Sequence, residues 1–323
     1  MRLYRYAVAC AVATFALTIF GGLVSATDSG LACPDWPLCE GKFIPQMING
    51  KQFEHTHRLV ASFVMVMTFG LAALLFKYRR QDSLLWKLGF AASGLVIVQA
   101  LFGALTVILK LPWQVSTTHL AIANLFFVLM VSLAFLTRQR MEPRVRSEHE
   151  WKLSRAVLPV AGLVYLQVVA GGAMRHLRAG LACGFDIPYC NGALWATEGG
   201  VPVQAHLVHR FLGVIAGLAV LWLAVKVLRS PARTAMKALA VVASVAVVLQ
   251  VTLGILTVLR SRELYTMSVH SSLGMLLLAA MVSLYWLAAP SSAPEKLHGG
   301  NVAPSPGLRP PSPVGEGVPG VPA

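Results

Sequence analysis

Eight stretches of this chain, near residues 7–25, 57–78, 86–109, 117–137, 155–174, 206–228, 235–259 and 267–289, are predominantly apolar. A helix needs about 20 such residues to cross a hydrocarbon core roughly 30 Å thick. Unpaired backbone groups are intolerable there, so only helices and closed barrels can span. The predicted class is an all-α membrane protein with eight transmembrane helices. Composition agrees, because 56% of the 323 residues are hydrophobic and 12% are charged, against about 25% charged in a soluble domain. The net charge of +14 then reads as the positive-inside bias, not as a nucleic-acid surface.

Lys and Arg set the expected orientation. The N-terminus and the connections between helices 2–3, 4–5 and 6–7 carry sixteen basic residues, and the opposite side carries nine. Both termini are expected in the cytoplasm, with the long loops at 26–56 and 175–205 outside. The first apolar run follows Arg2 and Arg5 and ends in "LVSA", which has the look of a signal peptide. Its length exceeds the usual h-region of about 7–15 residues, and it has an internal counterpart, so it is read as a retained helix. The segment 290–323 is rich in Pro, Gly and Ser and is expected to be a disordered cytoplasmic tail.

The chain repeats itself. "GGLVSATDSGLACPDWPLC" (21–39) matches "GGAMRHLRAGLACGFDIPYC" (171–190), "EHTHR" (54–58) matches "HLVHR" (206–210), "QALFGALTV" (99–107) matches "QVTLGILTV" (250–258), and "STTHL" (116–120) matches "MSVHS" (267–271). The offset stays at 150 to 152 residues through all four blocks. Apolar helices resemble one another by chance, but polar landmarks in a fixed order do not. The reading is two pseudo-symmetric four-helix bundles, residues 1–145 and 146–289, in parallel orientation because each half has an even number of helices.

Four histidines occupy equivalent places: His57 and His119 in the first half, His209 and His270 in the second. Each opens a helix entering from the outer side, so all four are expected near that face. Within a half the pair sits on alternate, parallel helices, at one depth. Two imidazoles facing across a bundle point to bis-histidine haem ligation. Zinc fits less well, because no Cys or carboxylate set with zinc spacing accompanies the pairs. His55 reads as an unpaired loop residue, His206 aligns with Glu54, and His149, His176 and His298 read as solvated.

Glu54 precedes His57 by three residues and shares its helix face. A carboxylate there would serve as acid, base or stabiliser of positive charge; a dipole-capping acid is the plainer reading. The copy has His206 instead, which favours one half doing chemistry and the other holding a permanent cofactor. Arg58 and Arg210 follow the ligand histidines and are propionate candidates, with snorkelling to the interface as the alternative. Gln99 and Gln250 are expected to bond between helices. Cys33 and Cys39, and Cys183 and Cys190, lie in equivalent loops on the oxidising side. Structural disulfides are the default, and a redox role for at least one pair is the alternative. Cys10 reads as a small packing residue.

"GLACPDWPLC", "EHTHR" and the four repeat-placed histidines resemble the haem A synthase family, in its bacterial, cysteine-containing branch. The resemblance covers roughly residues 5–288. It implies oxidation of the C8 methyl group of haem O to a formyl group in two steps, giving haem A for terminal oxidases in the cell (inner) membrane. It further implies haem b on His209 and His270, substrate haem on His57 and His119, and Glu54 as the catalytic carboxylate. Cys33–Cys39 is implied as a disulfide with a part in electron handling, and Cys183–Cys190 as a second disulfide. A haem O synthase and oxidase assembly factors are the implied partners, beside membrane lipid and no nucleic acid. Ser25 departs from the pattern, since many relatives have Arg there. The rival reading is a di-haem b electron carrier without substrate chemistry.

Overall fold

The computed structural model describes residues 2–80, 82–141 and 147–289. The expected tail therefore lies outside the described residues, as do Arg144, Arg146 and the boundary between halves. Eight α-helices follow in order: α1 Arg2–Ala26, α2 Lys51–Lys77, α3 Ser83–Ile108, α4 Trp113–Met141, α5 Glu148–His176, α6 Gly200–Leu228, α7 Thr234–Leu259 and α8 Leu264–Ala288. A short 3-10 turn spans Ala179–Leu181. All eight helices are long and apolar enough to cross a membrane.

Several helices reach beyond their apolar stretches. α2 starts at Lys51 and α6 at Gly200, each about six residues before its expected start. Hydropathy marks only the apolar part, whereas the i→i−4 ladder continues through polar turns. Both helices begin after a glycine in the left-handed region, Gly50 at φ 86° and Gly199 at φ 93°, where a side chain would be strained. α5 starts at a capping box: Ser147 Oγ accepts from the Glu150 N–H at 3.2 Å, and the Glu150 carboxylate accepts from the Ser147 N–H at 3.4 Å.

The helices pack as two rings. α1 lies against α2 and α4, and α3 against α2 and α4; α5 lies against α6 and α8, and α7 against α6 and α8. α1 and α4 of the first set also pack on α8, and α4 on α5, so these four are central. This arrangement accords with the two bundles expected from the repeat. One apolar core joins Ala7, Val64, Leu71, Leu75, Met130 and Leu133. The other joins Leu153, Val157, Val220, Leu223, Met236 and Leu278 and takes in Phe127 and Val131 of α4. Polar ties cross between the sets: Trp286 Nε1 donates to Ser132 Oγ at 2.8 Å, Gln139 Nε2 to the Trp286 carbonyl at 2.9 Å, and the Tyr165 hydroxyl to the Ala121 carbonyl at 3.2 Å. On the outer-ring helices α2, α3, α6 and α7, Phe63, Leu101, Leu218 and Val245 are exposed, as lipid-facing side chains must be.

Candidate functional site

His57, His119 and His270 each lie six residues after the first residue of their helix (57−51, 119−113, 270−264), and His209 lies nine after (209−200). At about 1.5 Å per residue, all four stand some two turns in from the helix starts. Those starts are the ends that carry the two disulfide loops.

Each imidazole rests on a glycine of the preceding helix. A Cβ at Gly21 would sit 3.1 Å from His57 Nε2, and one at Gly103 would sit 3.2 Å from His119 Cε1. In the second half the approaches are 2.8 Å from Gly171 to His209 Cε1 and 3.2 Å from Gly254 to His270 Cε1. Gly21 and Gly171 are 150 residues apart, and Gly103 and Gly254 are 151 apart, so the repeat preserves the cradle along with the histidines. The His209 and His270 rings have centroids 6.4 Å apart and planes at 84°. A metal held by two imidazoles at about 2.0–2.1 Å from each nitrogen sets the rings on the order of 6 Å apart. The donor set, the spacing and the cradles fit a haem iron.

Glutamines bond to these rings. Gln99 Nε2 is 3.3 Å from His119 Nε2, Gln250 Nε2 is 3.5 Å from His270 Nε2, and Gln167 Nε2 is 3.1 Å from His209 Nδ1. The expected helix-to-helix bonds of Gln99 and Gln250 thus end on the paired histidines. His270 Nδ1 also donates to the Gln250 carbonyl at 3.1 Å. The halves differ in this outer layer. His119 Nδ1 is buried without a partner, and Leu17 stands at the position equivalent to Gln167. Gln167 fits because Gly213 has no side chain, a Cβ there lying 2.8 Å from Gln167 Nε2; the first half has Ala61 instead.

Glu54 is 4% exposed. One carboxylate oxygen accepts from Arg58 Nη2 at 2.5 Å and the other from the Cys33 N–H at 2.8 Å. Arg58 Nη1 also donates to the carbonyls of Asp35 and Leu38 at 2.7 and 2.6 Å. Arg210 Nη1 does the same in the second loop, to Asp186 and Tyr189 at 3.0 and 2.9 Å. Both arginines, expected as propionate partners, hold their disulfide loops. Arg210 Nη2 is buried without a partner, as follows from His206 standing where Glu54 meets Arg58. The disulfides are closed, Cys33–Cys39 at 2.02 Å and Cys183–Cys190 at 2.04 Å. Asp35 organises the first loop, accepting from Gly41 N at 2.8 Å and Glu40 N at 2.5 Å. The Gly41 amide is the main reason its carboxyl lies below the usual aspartate range; slight burial opposes it and the Glu40 amide adds to it.

Three residues correct the sequence reading. His55 is no loop residue but lies on α2, 3% exposed, with Nε2 2.7 Å from the Phe43 carbonyl. His176 is not solvated: it ends α5, half-buried, with Nδ1 3.2 Å from Thr117 Oγ1 on α4. Arg175, not singled out from the sequence, bonds Ser271 Oγ on α8, one residue from His270. The repeat held its signal, since Arg175 is the counterpart of Ser25. A residue compared only with expectations for its own half hides what the other half carries.

Fold and site together define a class: polytopic helical membrane proteins built from two repeats, each carrying two histidines seated on glycines of the preceding helices. The particular family follows from comparison. The model of the COX15-CtaA family, cytochrome oxidase assembly protein, matches residues 4–52 and 49–282, and the chain belongs to that family. It is similar to the haem A synthase of Alkalihalophilus pseudofirmus, 31% identical over 66% of this chain and 72% of that one. It is 28% identical to the haem A synthase of Lysinibacillus sphaericus over 90% of this chain and 97% of that one. Against that of Macrococcus caseolyticus it is 28% identical over 78% and 86%.

Proposed function

We propose that this chain is a haem A synthase, an oxidoreductase of haem A biosynthesis that converts the C8 methyl group of haem O to a formyl group in two successive oxidations. His57 and His119 hold the substrate haem, and His209 and His270 hold haem b. Bound haem b supplies one-electron redox chemistry. The protein supplies orientation, through histidines seated on glycines, and a carboxylate beside one site only. Glu54 stabilises positive charge developing at the methyl carbon or takes a proton from the attacking water. Each of its oxygens has two lone-pair sites, so the bonds to Arg58 and Cys33 leave acceptor capacity on both. Arg175, bonded to Ser271 one residue from His270, would be the basic group for a haem propionate there.

The observation that carries this reading is the pairing of Glu54 with His57 in one half against His206 with His209 in the other. The outer layer supports the division of labour. Imidazoles anchored through the second ring nitrogen are held in one orientation and are stronger ligands. His270 has such a partner, its Nδ1 donating to the Gln250 carbonyl, whereas His119 Nδ1 has none. The proposed placement is the cell (inner) membrane, with both termini cytoplasmic and both haem sites towards the outer face. Haem O synthase and oxidase assembly factors are the proposed partners.

Glu54→Gln tests the reading. Cells carrying it should accumulate haem O or the hydroxylated haem at the expense of haem A, and undiminished haem A sinks the role of Glu54. Extracting the non-covalent haems separates the rival: haem b with haem O or haem A supports a synthase, and haem b alone supports the electron carrier.

A further inference from the structure

Among the described residues, one cluster of metal-ligating atoms lies outside the paired-histidine sites. The sulfurs of Cys33 and Cys39 and an imidazole nitrogen of His55 lie within 4.8 Å of one another, and all three residues are buried. His55 Nε2 faces the Phe43 carbonyl, which can only accept, so Nε2 carries the proton. The lone pair is therefore on Nδ1, which is buried with no hydrogen-bond partner. A buried polar atom left unpaired costs about 1–3 kcal/mol, and a disulfide offers it no donor. Among the described residues no such cluster forms at the second disulfide. Leu207 occupies the equivalent position and packs with Cys183, Cys190 and Val203 in an apolar cluster. The disulfide loop thus folds without an imidazole, and the one at His55 calls for a separate explanation.

We propose that, when Cys33–Cys39 is reduced, its two thiolates and His55 Nδ1 bind one soft d10 cation, Zn2+ or Cu+. A dithiol reductant must first deliver two electrons and two protons to the Cys33–Cys39 bond, its own sulfurs closing into a disulfide; the cation then displaces both thiol protons. Thiolate and imidazole are the donors such cations select. The Nε2–H bond to a backbone carbonyl is the outer-layer contact that fixes the tautomer of metal-bound histidines. Metal–sulfur distances of about 2.3 Å and metal–nitrogen distances of about 2.0–2.1 Å require donors closer than the present limit of 4.8 Å, a small contraction for a loop that must relax anyway as the sulfurs part. Three protein ligands leave Cu+ trigonal, or Zn2+ with one water. One loop is then closed by a covalent bond in one redox state and by a cation in the other. The inference does not depend on the haem assignment.

The full chain in detergent, reduced by a phosphine and desalted without air, is titrated with Zn2+ against a chromophoric chelator and separately with Cu+ against a Cu+-specific one. The reduced protein should take up a single equivalent of at least one of the two, and the oxidised protein none. His55→Leu, which copies the second half, and His55→Gln, which stays polar, should each bind at least 10-fold more weakly, the least that even an outer-layer loss costs at a metal site. The double variant Cys33→Ser/Cys39→Ser, which keeps the second pair, should bind nothing, and circular dichroism reports that each variant keeps its helices. Absence of uptake of either cation by the reduced protein overturns the proposal. So does unchanged affinity in either His55 variant, or binding that survives loss of Cys33 and Cys39.

Discussion

At the scale of single residues, the controlling contacts are short ones between a ring and a backbone. A methyl group at residue 171 would lie 2.8 Å from His209 Cε1, well inside van der Waals contact, and neither the α5 backbone nor a cradled ring can give easily. Overpacking of this kind costs about 1–3 kcal/mol, so Gly171→Ala should lower bound haem b by about 10- to 100-fold. The reduced-minus-oxidised spectrum of the purified protein reads that loss, and a full haem b signal would dismiss the cradle. Asp35 carries a pH dependence. Its carboxyl is held below the ordinary value by the Gly41 amide. Its contribution to loop order is therefore complete above the unfolded value of about 3.9 and is lost as pH falls through the lower folded value. Relative to a small reference disulfide at the same pH, reduction of Cys33–Cys39 by a phosphine should be independent of pH down to about 4 and accelerate below it. Asp35→Asn should already be fast at neutral pH.

At the scale of helices, termination mattered more than span. α2 and α6 begin in polar sequence outside the apolar stretches, and that extra turn is what brings Glu54 and His206 into helical register with His57 and His209. That Glu54 and His57 stand one turn apart on a single helix was legible from i, i+3 spacing alone. The destination of Arg58 was not, because its partners at Asp35 and Leu38 are loop carbonyls some twenty residues away, which no local pattern encodes. At the start of α5 the capping box ties Ser147 to Glu150. Ser147→Ala should destabilise α5 by about 0.5–2 kcal/mol. Thermal unfolding of the purified protein followed by circular dichroism should show a lowered midpoint, and an unchanged midpoint would mean the cap is dispensable once α5 is packed.

At the scale of the whole molecule, the two halves share a plan and differ in one layer. The histidines and their glycine cradles recur, while the layer behind them differs: Gln167 with Gly213 in the second half against Leu17 with Ala61 in the first. Gln167→Leu should hasten loss of haem b by about 10- to 100-fold, as outer-layer changes do at metal sites. The converse pair, Leu17→Gln with Ala61→Gly, should make the first site retain haem through purification. Haem stoichiometry measures both, and equal retention in all variants would show that this layer does not decide occupancy. The eight helices were legible because hydropathy is a property of the chain as a string, and so was the order of matching landmarks along the two halves. Arg175, His176 and His55 were misread or missed because their roles depend on neighbours in other elements.

The sequence by itself determined the membrane class, the helix count, the duplication and the residues able to ligate iron, since spanning a bilayer imposes length and polarity rules that act locally along the chain. Only the tertiary structure decided how those residues are supported: which glycine seats each imidazole, which glutamine bonds it, that Arg58 and Arg210 hold loops, and that His55 lies against a disulfide. The physical reason is that burial and hydrogen-bond partnership inside a bundle arise between helices, where separations along the chain carry no information until the helices pack.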